Sequence, residues 1–238
     1  MCSSDLYASH DWIHANCWVA CFDILGFKNM VSFEDDESLQ ITFLIEDYEK
    51  TLEHLRTSSE AYQEGDIEYC WLSDTFVLFS RDDSARSYAV LQQAAKRFIT
   101  ECTYSMIPIR GAISVGHITR SEDNRSFMGK AFIDAFVYAE DQDWIGLLLT
   151  PTAIEKTSIY GLFPERHDFV KSEGIPMRKC QKSGVMAYRF QNGEANFESP
   201  LLTKLSQMKQ ASGEKHHNKY DGTMHFIKVH YRYIQKHG

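Results

Sequence analysis

Two carboxylates stand where the chain could do chemistry. Asp23 follows an apolar run from Trp18 to Phe22 and precedes a short glycine-containing turn, Ile24-Leu25-Gly26-Phe27. Asp74 lies in Tyr69-Cys70-Trp71-Leu72-Ser73-Asp74-Thr75-Phe76-Val77-Leu78-Phe79, where one apolar run passes through a polar break into another. That pattern reads as a β-hairpin with an acid at its tip. Acids at strand ends, with backbone N–H groups in the turn after the first, suit a hard divalent cation that carries a phosphate chain. Mg2+ takes one or two carboxylates together with substrate phosphate oxygens, and turn amides cradle the anion. Asp at a turn is also ordinary turn chemistry, and neither acid alone decides between the two. An acid aimed at a cation is a functional cost rather than a core contact, so alanine at either position is expected to leave the fold intact.

The elements that must position these acids follow from periodicity. The strand from Cys17 into Asp23 comes after a polar leader, and Glu34 to Ala61 reads as a long amphipathic helix broken at Gly65. After the Asp74 hairpin, a helix from Ser84 to Thr103 opens on a serine able to cap its N-terminus. Ile107 to Ile118 alternates as a strand and contains Arg110-Gly111-Ala112-Ile113-Ser114-Val115-Gly116, with glycines where backbones would approach closely. Gly129 to Glu140 reads as a helix, Trp144 to Leu149 as a strand, Pro151 to Ser158 as a short helix and Val185 to Phe190 as a late strand. Leu201 to Lys209 and Met224 to Gln235 read as helices joined by a polar stretch with Gly213 and Gly222. The order β-α-β-β-α-β, then α-β, is the α+β ferredoxin-like palm pattern with additions and a C-terminal helical tail. The domain reading is a leader over 1–16, a body over 17–192 and a basic helical extension over 193–238.

At 238 residues the chain accommodates one sizeable core with an appendage. No segment approaches the length of apolar sequence that a membrane span needs. The leader lacks the basic and apolar regions of a secretory signal, so the reading is a cytoplasmic protein without membrane insertion. The cysteines, at 2, 17, 21, 70, 102 and 180, form no C-x-x-C motif and give no zinc signature. The formal net charge of -8 divides into +5 from Leu201 onward and -13 before it. An acidic body argues against a nucleic-acid surface, and the basic tail is expected to dock on the body. His216, His217, His225, His230 and His237 cluster in that tail without acids or cysteines at ligand spacing.

Four pieces in fixed order carry a family resemblance: the Phe22-Asp23-Ile24-Leu25-Gly26-Phe27 turn, the Ser73-Asp74-Thr75-Phe76 hairpin, the Arg110 to Gly116 strand, and a helix opened by Phe127-Met128-Gly129. Together they resemble the catalytic domain of class III nucleotidyl cyclases over roughly Trp18 to Phe190. The resemblance implies that Asp23 and Asp74, with Ile24, hold a pair of Mg2+ or Mn2+ ions, and that Arg110 contacts the triphosphate. It also implies that the Ile24, Leu25, Gly26 and Phe27 turn lies against the substrate and that Lys182 is a second phosphate-binding cation, with Arg178 or Lys179 as substitutes. Members work as homodimers in which the metal half of each composite site comes from one protomer and the base half from its partner.

The departures concern the base. The position of the adenylyl lysine or guanylyl glutamate is Cys70, and a further selector position is Ser126. The positions of the usual Asn and Arg on the helix after Gly129 hold Ile133 and Val137, while a shift of one residue offers Asp134 and Tyr138. Tyr69, Cys70, Trp71 and Ser126 are therefore the candidates for the base pocket. With the purine selectors replaced, the chain is most like the pyrimidine cyclases of bacterial Pycsar antiphage systems. That likeness implies conversion of UTP or CTP to cyclic UMP or cyclic CMP, with UTP the leaning, and signalling through a separate cyclic-nucleotide-binding effector. The alternatives are an adenylyl or guanylyl cyclase with unusual selectors and a cyclase-like module that binds nucleotide without turnover.

Overall fold

The computed structural model of the chain describes residues 12–27, 42, 45–51, 53–54, 62–121, 126–171, 175–178, 184–190 and 200–237. Its frame is a pair of long strands. β1 (Trp12–Ile24) and β4 (Ile109–Ser121) pair antiparallel over their full length, from Trp12 opposite Ser121 to Ile24 opposite Ile109. β2 (Ile67–Leu72) and β3 (Thr75–Ser80) form the expected hairpin, whose two-residue turn is Ser73-Asp74. β3 lies along β1 on the side away from β4, with Asp23 opposite Thr75. The far side of β4 is extended by β6 (Leu147–Leu149), β8 (Met186–Tyr188) and β7 (Phe169–Lys171), and β5 (Phe127–Met128) turns back on the end of β4. The resulting order, β2-β3-β1-β4-β6-β8-β7, contains the ferredoxin-like arrangement at one end, and the pairing is antiparallel except between β4 and β6. The mixed α+β architecture is the one expected.

Alternation along β1 divides the core in two. Trp18, Ala20, Phe22 and Ile24 face the larger cluster, where α1 (Ala85–Tyr104) packs with Tyr88, Leu91 and Phe98. Cys17, Val19 and Cys21 face the other side, under α2 (Lys130–Glu140) and its Ala131 and Ala135. Asp23 continues this second row and so opens on the α2 side of the sheet. α1 begins where Ser84 accepts from the Ser87 N–H, the cap anticipated from its sequence. α3 (Pro151–Ile159) is capped in the same way by Thr150, which accepts from the Ala153 N–H.

Several boundaries differ from the sequence reading. β1 begins at Trp12 rather than Cys17, because its polar first residues still pair with β4 although one face is in solvent. Trp144 and Ile145 precede β6 as buried bends instead of starting it: the Trp144 indole donates to the Gln142 side chain and the Ile145 amide donates to Thr223. β5 and β7 are too short to show a period. Of the helix expected over 34–61, residues 42, 45–51 and 53–54 are helical, and the rest lies outside the described residues. Among the described residues no helix is long and apolar enough to cross a membrane.

The tail folds back on the body. α4 (Pro200–Ala211) places Leu201, Leu205 and Met208 in the main core. α5 (His217–His237) is one helix running through Gly222, which was expected to separate it from the polar stretch. A Cβ at Gly222 would come within 3.0 Å of Pro176 Cγ, so the glycine here lets the helix lie close against the body. One residue on, the fully buried Thr223 hydroxyl accepts from the Ile145 N–H and lies 3.0 Å from the Ile145 carbonyl. Phe226 packs edge-on against Trp144 at 4.7 Å. Thr223→Val leaves the buried Ile145 amide without its acceptor and should cost about 1–3 kcal/mol in urea unfolding. Thr223→Ser should restore most of it; an unchanged midpoint for the valine variant would show that this contact does not hold the tail down.

Candidate active site

Asp23 and Asp74 reach one place because two strand ends are tied together. The Ile24 amide, immediately after Asp23, donates to the Asp74 carbonyl at 2.9 Å. Ser73 adopts a left-handed φ of +57°, and the Trp71 indole donates to its carbonyl, which fixes the turn presenting Asp74. The next amide, Leu25, donates to Pro108 at 2.8 Å. Since Ile24 and Leu25 spend their N–H groups within the fold, Gly26 and Phe27 are the residues of this turn that could offer amides to an anion. Gly26 has a φ of +78°, where a side chain would be strained.

Arg110 sits directly across the ladder from Asp23. Its guanidinium donates to the Asp23 carboxylate at 2.6 Å through both Nε and Nη2. Its Nη1 donates to the Gln142 carbonyl. Gln142 is itself buried and fully engaged, donating through Nε2 to Gly111 and Tyr138 carbonyls and accepting from Trp144. Gly111 is required behind this pair because a Cβ there would meet the Phe22 ring at 2.5 Å. The side chains of Asp23 and Arg110 are only 16% and 4% exposed. Burial pushes the Asp23 carboxyl above the ordinary carboxylate range, opposed by Arg110 and reinforced by the negative charges of Asp74 and Glu140. Burial likewise pulls Arg110 down, with Asp23 holding it up.

The donor set fits a hard cation: two carboxylates and the carbonyl end of β1 at Ile24, all oxygen, beside buried positive charge able to take a phosphate. A divalent ion at Asp23 would replace the charge balance that Arg110 supplies and free its donors for the anion. Among the described residues no cluster of three or more His, Cys, Asp or Glu forms a fuller cage, so substrate phosphates would complete the coordination. Neither Cys17 nor Cys21 competes as a ligand. Cys17 and Cys21 are buried, and burial pushes the Cys17 thiol up to about 12.

The candidates for base recognition lie elsewhere. Ser126 is held at the opposite end of the sheet, where the Ser121 amide donates to its carbonyl at 2.8 Å and Ser121 pairs with Trp12. It lines an open groove of about 660 Å³ with Trp12, His14, His117, Phe127 and Met128. Along β1 this groove is on the order of 30 Å from Asp23, by strand rise over the intervening residues. Cys70 faces the α2 side of the sheet, bordering the cluster that contains Phe127, whereas the register puts Trp12, His14 and His117 of the groove on the other face. Tyr69, its neighbour, faces the opposite side, against Tyr48 at 4.5 Å and Phe76 at 5.6 Å. The pleat thus puts Tyr69, not Cys70, on the face of the sheet that carries the Ser126 groove, and Trp71, also of that parity, packs against Phe76. Asp134 is engaged with Lys130 at 2.8 Å on α2, one turn away along the helix. Ile133 and Val137 are 51% and 40% exposed, presenting an apolar edge of α2 to solvent. Lys182 and Lys179 lie outside the described residues; Arg178 is described and lies near Arg110.

Sequence reasoning missed Gln142, whose carbonyl anchors Arg110, and the buried Arg120, which pairs with Glu68 and lies 5.8 Å over the Phe79 ring. No motif marks either residue, since Arg120 acts through strand register and Gln142 through a loop contact.

No protein family and no curated protein matches the chain. Solved structures resemble it at low identity. The catalytic core of a rhodopsin-guanylyl cyclase with converted specificity, in complex with ATPαS, is 11% identical over 74% of this chain and 95% of that chain, with a TM-score of 0.48. A class III adenylyl cyclase-like ATP-binding protein from Pseudomonas aeruginosa is 14% identical over 95% of this chain and 45% of its own, with a TM-score of 0.43. An adenylate/guanylate cyclase/hydrolase from Silicibacter pomeroyi is 16% identical over 75% and 98%, with a TM-score of 0.42.

The buried Asp23–Arg110 pair corrects the expectation that both acids can be removed without cost to the fold. Asp23→Ala strands a buried guanidinium and should destabilise the protein by about 3–5 kcal/mol. Asp74→Ala, at a half-buried turn position, should change stability by less than about 1 kcal/mol. Parallel urea titrations check this; equal midpoints for the two variants would mean that Arg110 does not depend on Asp23.

Proposed function

We propose that the protein is a metal-dependent nucleotide cyclase that converts a pyrimidine ribonucleoside triphosphate, UTP or CTP, to its 3′,5′-cyclic monophosphate and pyrophosphate. The observation that carries this reading is the joining of Asp23 and Asp74 by the Ile24–Asp74 backbone bond, with Arg110 packed against Asp23. Asp23 and Asp74, with the Ile24 carbonyl, would hold Mg2+ or Mn2+, two ions per site. When bound, the ions favour the 3′-alkoxide and balance charge on the departing pyrophosphate. The chain's own contribution is position: the rigid β1–β4 ladder fixes the acids, and Arg110 neutralises the triphosphate that lies across them. The 3′-oxygen bonds to the α-phosphorus as the bond from that phosphorus to the pyrophosphate oxygen breaks, and the hydroxyl proton passes to solvent.

The separation of the halves supports a homodimer with two composite sites. Asp23 and Ser126 are farther apart than one extended nucleotide spans, so a single chain closes no site with both. A two-fold partner brings its Ser126 end to the Asp23 end of the first chain, and the exposed apolar edge of α2 is suited to that contact. A pyrimidine is favoured because Cys70 and Ser126 offer neither the charge of a lysine nor that of a glutamate to a purine. The reading assigns the product to second-messenger signalling in bacterial antiphage defence through a separate effector.

Incubation with each of the four ribonucleoside triphosphates and Mn2+ should yield a cyclic pyrimidine product. A cyclic purine instead would assign unusual selectors, and binding without product would assign a non-catalytic module. Cys70→Lys with Ser126→Asp should lower turnover of the pyrimidine substrate, because unmatched charge enters its pocket; full activity would remove both residues from the base site. Mixing inactive Asp74→Ala with inactive Ser126→Arg should recover roughly a quarter of wild-type activity, since about half the dimers are mixed and each carries one intact site. Absence of recovery after demonstrated subunit exchange would exclude the composite site.

A further inference from the structure

The basic tail passes beside the acids at the start of α5. α5 turns one face to the body, and Lys219 lies on that face, three and four residues before Gly222 and Thr223. The Lys219 carbonyl accepts from the Thr223 hydroxyl, which is itself fixed to Ile145. The segment over 175–178 is zipped onto the loop after α2, with the Arg178 amide donating to Asp141 at 2.7 Å and the Asp143 amide donating to Pro176 at 2.9 Å. Both side chains converge on Asp143, Arg178 at 3.7 Å and Lys219 at 3.9 Å. At those lengths neither contact is a direct hydrogen bond, and one carboxylate is shared between two cations. Asp143 directly follows Gln142, the residue whose carbonyl anchors Arg110.

A continuous path therefore runs from Asp23 through Arg110 and the 142–143 loop to Arg178 and Lys219. Three cations face it against Asp23 and Asp143, with Asp74 and Glu140 as further negative charges near Asp23, and occupation of the acids by divalent ions would leave the positive charge in excess. Lys219 is held below the ordinary lysine range, first by burial and then by repulsion from Arg178 and Arg110, which an added anion would relieve. A surface tether would be exposed and paired at hydrogen-bond distance; the Lys219 side chain is 14% exposed and is not so paired with Asp143.

We propose that Lys219 of the C-terminal helix, together with Arg178, forms a phosphate-binding subsite on the Asp23 half of the site, receiving the terminal phosphates of the substrate within the same chain. The subsite rests on the cyclase reading for its substrate, but its chemistry is that of any metal-bound polyphosphate. It gives the basic tail a role in binding and makes a substrate-binding residue of a segment that lies outside the motif-bearing part of the sequence.

Calorimetric titration of the full-length protein with inorganic tripolyphosphate and Mn2+ tests the subsite without turnover. Wild type should bind, and Lys219→Met and Arg178→Met should each weaken binding about tenfold. Unfolding midpoints should be unchanged for Arg178→Met, whose side chain is 44% exposed. Lys219→Arg should retain most of the affinity. Asp143→Asn should tighten binding, because it removes the acid that competes for both cations; a purely structural ion pair predicts lower stability and no tightening. Wild-type affinity in both methionine variants, or no binding by wild type, overturns the subsite. Blank assays with all four nucleotides while tripolyphosphate binding behaves as expected would instead overturn the cyclase reading and leave the subsite standing.

Discussion

The buried ion pair between Asp23 and Arg110 is the constraint on which the rest of the arrangement depends. Each charge occupies a position that water reaches poorly, and each is tolerable there only because the other lies across the β1–β4 ladder. Gly111 behind the pair leaves room for Phe22 on the other face, and the Gln142 carbonyl takes a further guanidinium N–H. Gln142 in turn is fixed by Trp144, and Trp144 is covered by Phe226 of the tail. Local chemistry at one strand end is thus supported by a stack of contacts that reaches the last helix.

In the proposed reading, this organisation explains why a metal and phosphate site can be built from so few groups. A cation held by two carboxylates needs further oxygen ligands, and a triphosphate supplies them. The protein then has only to keep the acids from moving and to offset the anion's charge. The ladder does the first, since a change of register would carry Asp23 to the other face of the sheet. Arg110 does the second. Their proximity means that the charges the substrate would meet are already balanced in its absence, which keeps the buried carboxylate compatible with folding.

The two ends of the sheet differ in character. The Asp23 end is enclosed by buried charge and by α5, whereas the Ser126 end is an open groove lined by aromatic and imidazole rings. Open aromatic surface next to the exposed edge of α2 suits contact with a second copy of the chain and with the flat face of a base. Placing metal chemistry at one end and base recognition at the other makes assembly part of the activity in the proposed reading, because neither end is a complete site.

The sequence by itself determined the acids, the order of the strands and the caps. An apolar run ending in Asp23, a hairpin tip at Asp74, and Ser84 before an amphipathic stretch are local signals whose physics acts within a few residues, so they are legible without a structure. The tertiary structure decided which of these residues meet. That Arg110 lies across from Asp23 follows from the β1–β4 register, which is set by dozens of contacts far apart in sequence. The separation of Tyr69 from Cys70 follows from the pleat, because adjacent residues on a strand point to opposite faces and only the surrounding packing says which face is which. The convergence of Lys219 on Asp143 depends on a helix docked through Gly222 and Thr223, and no periodicity in the tail records where it would land.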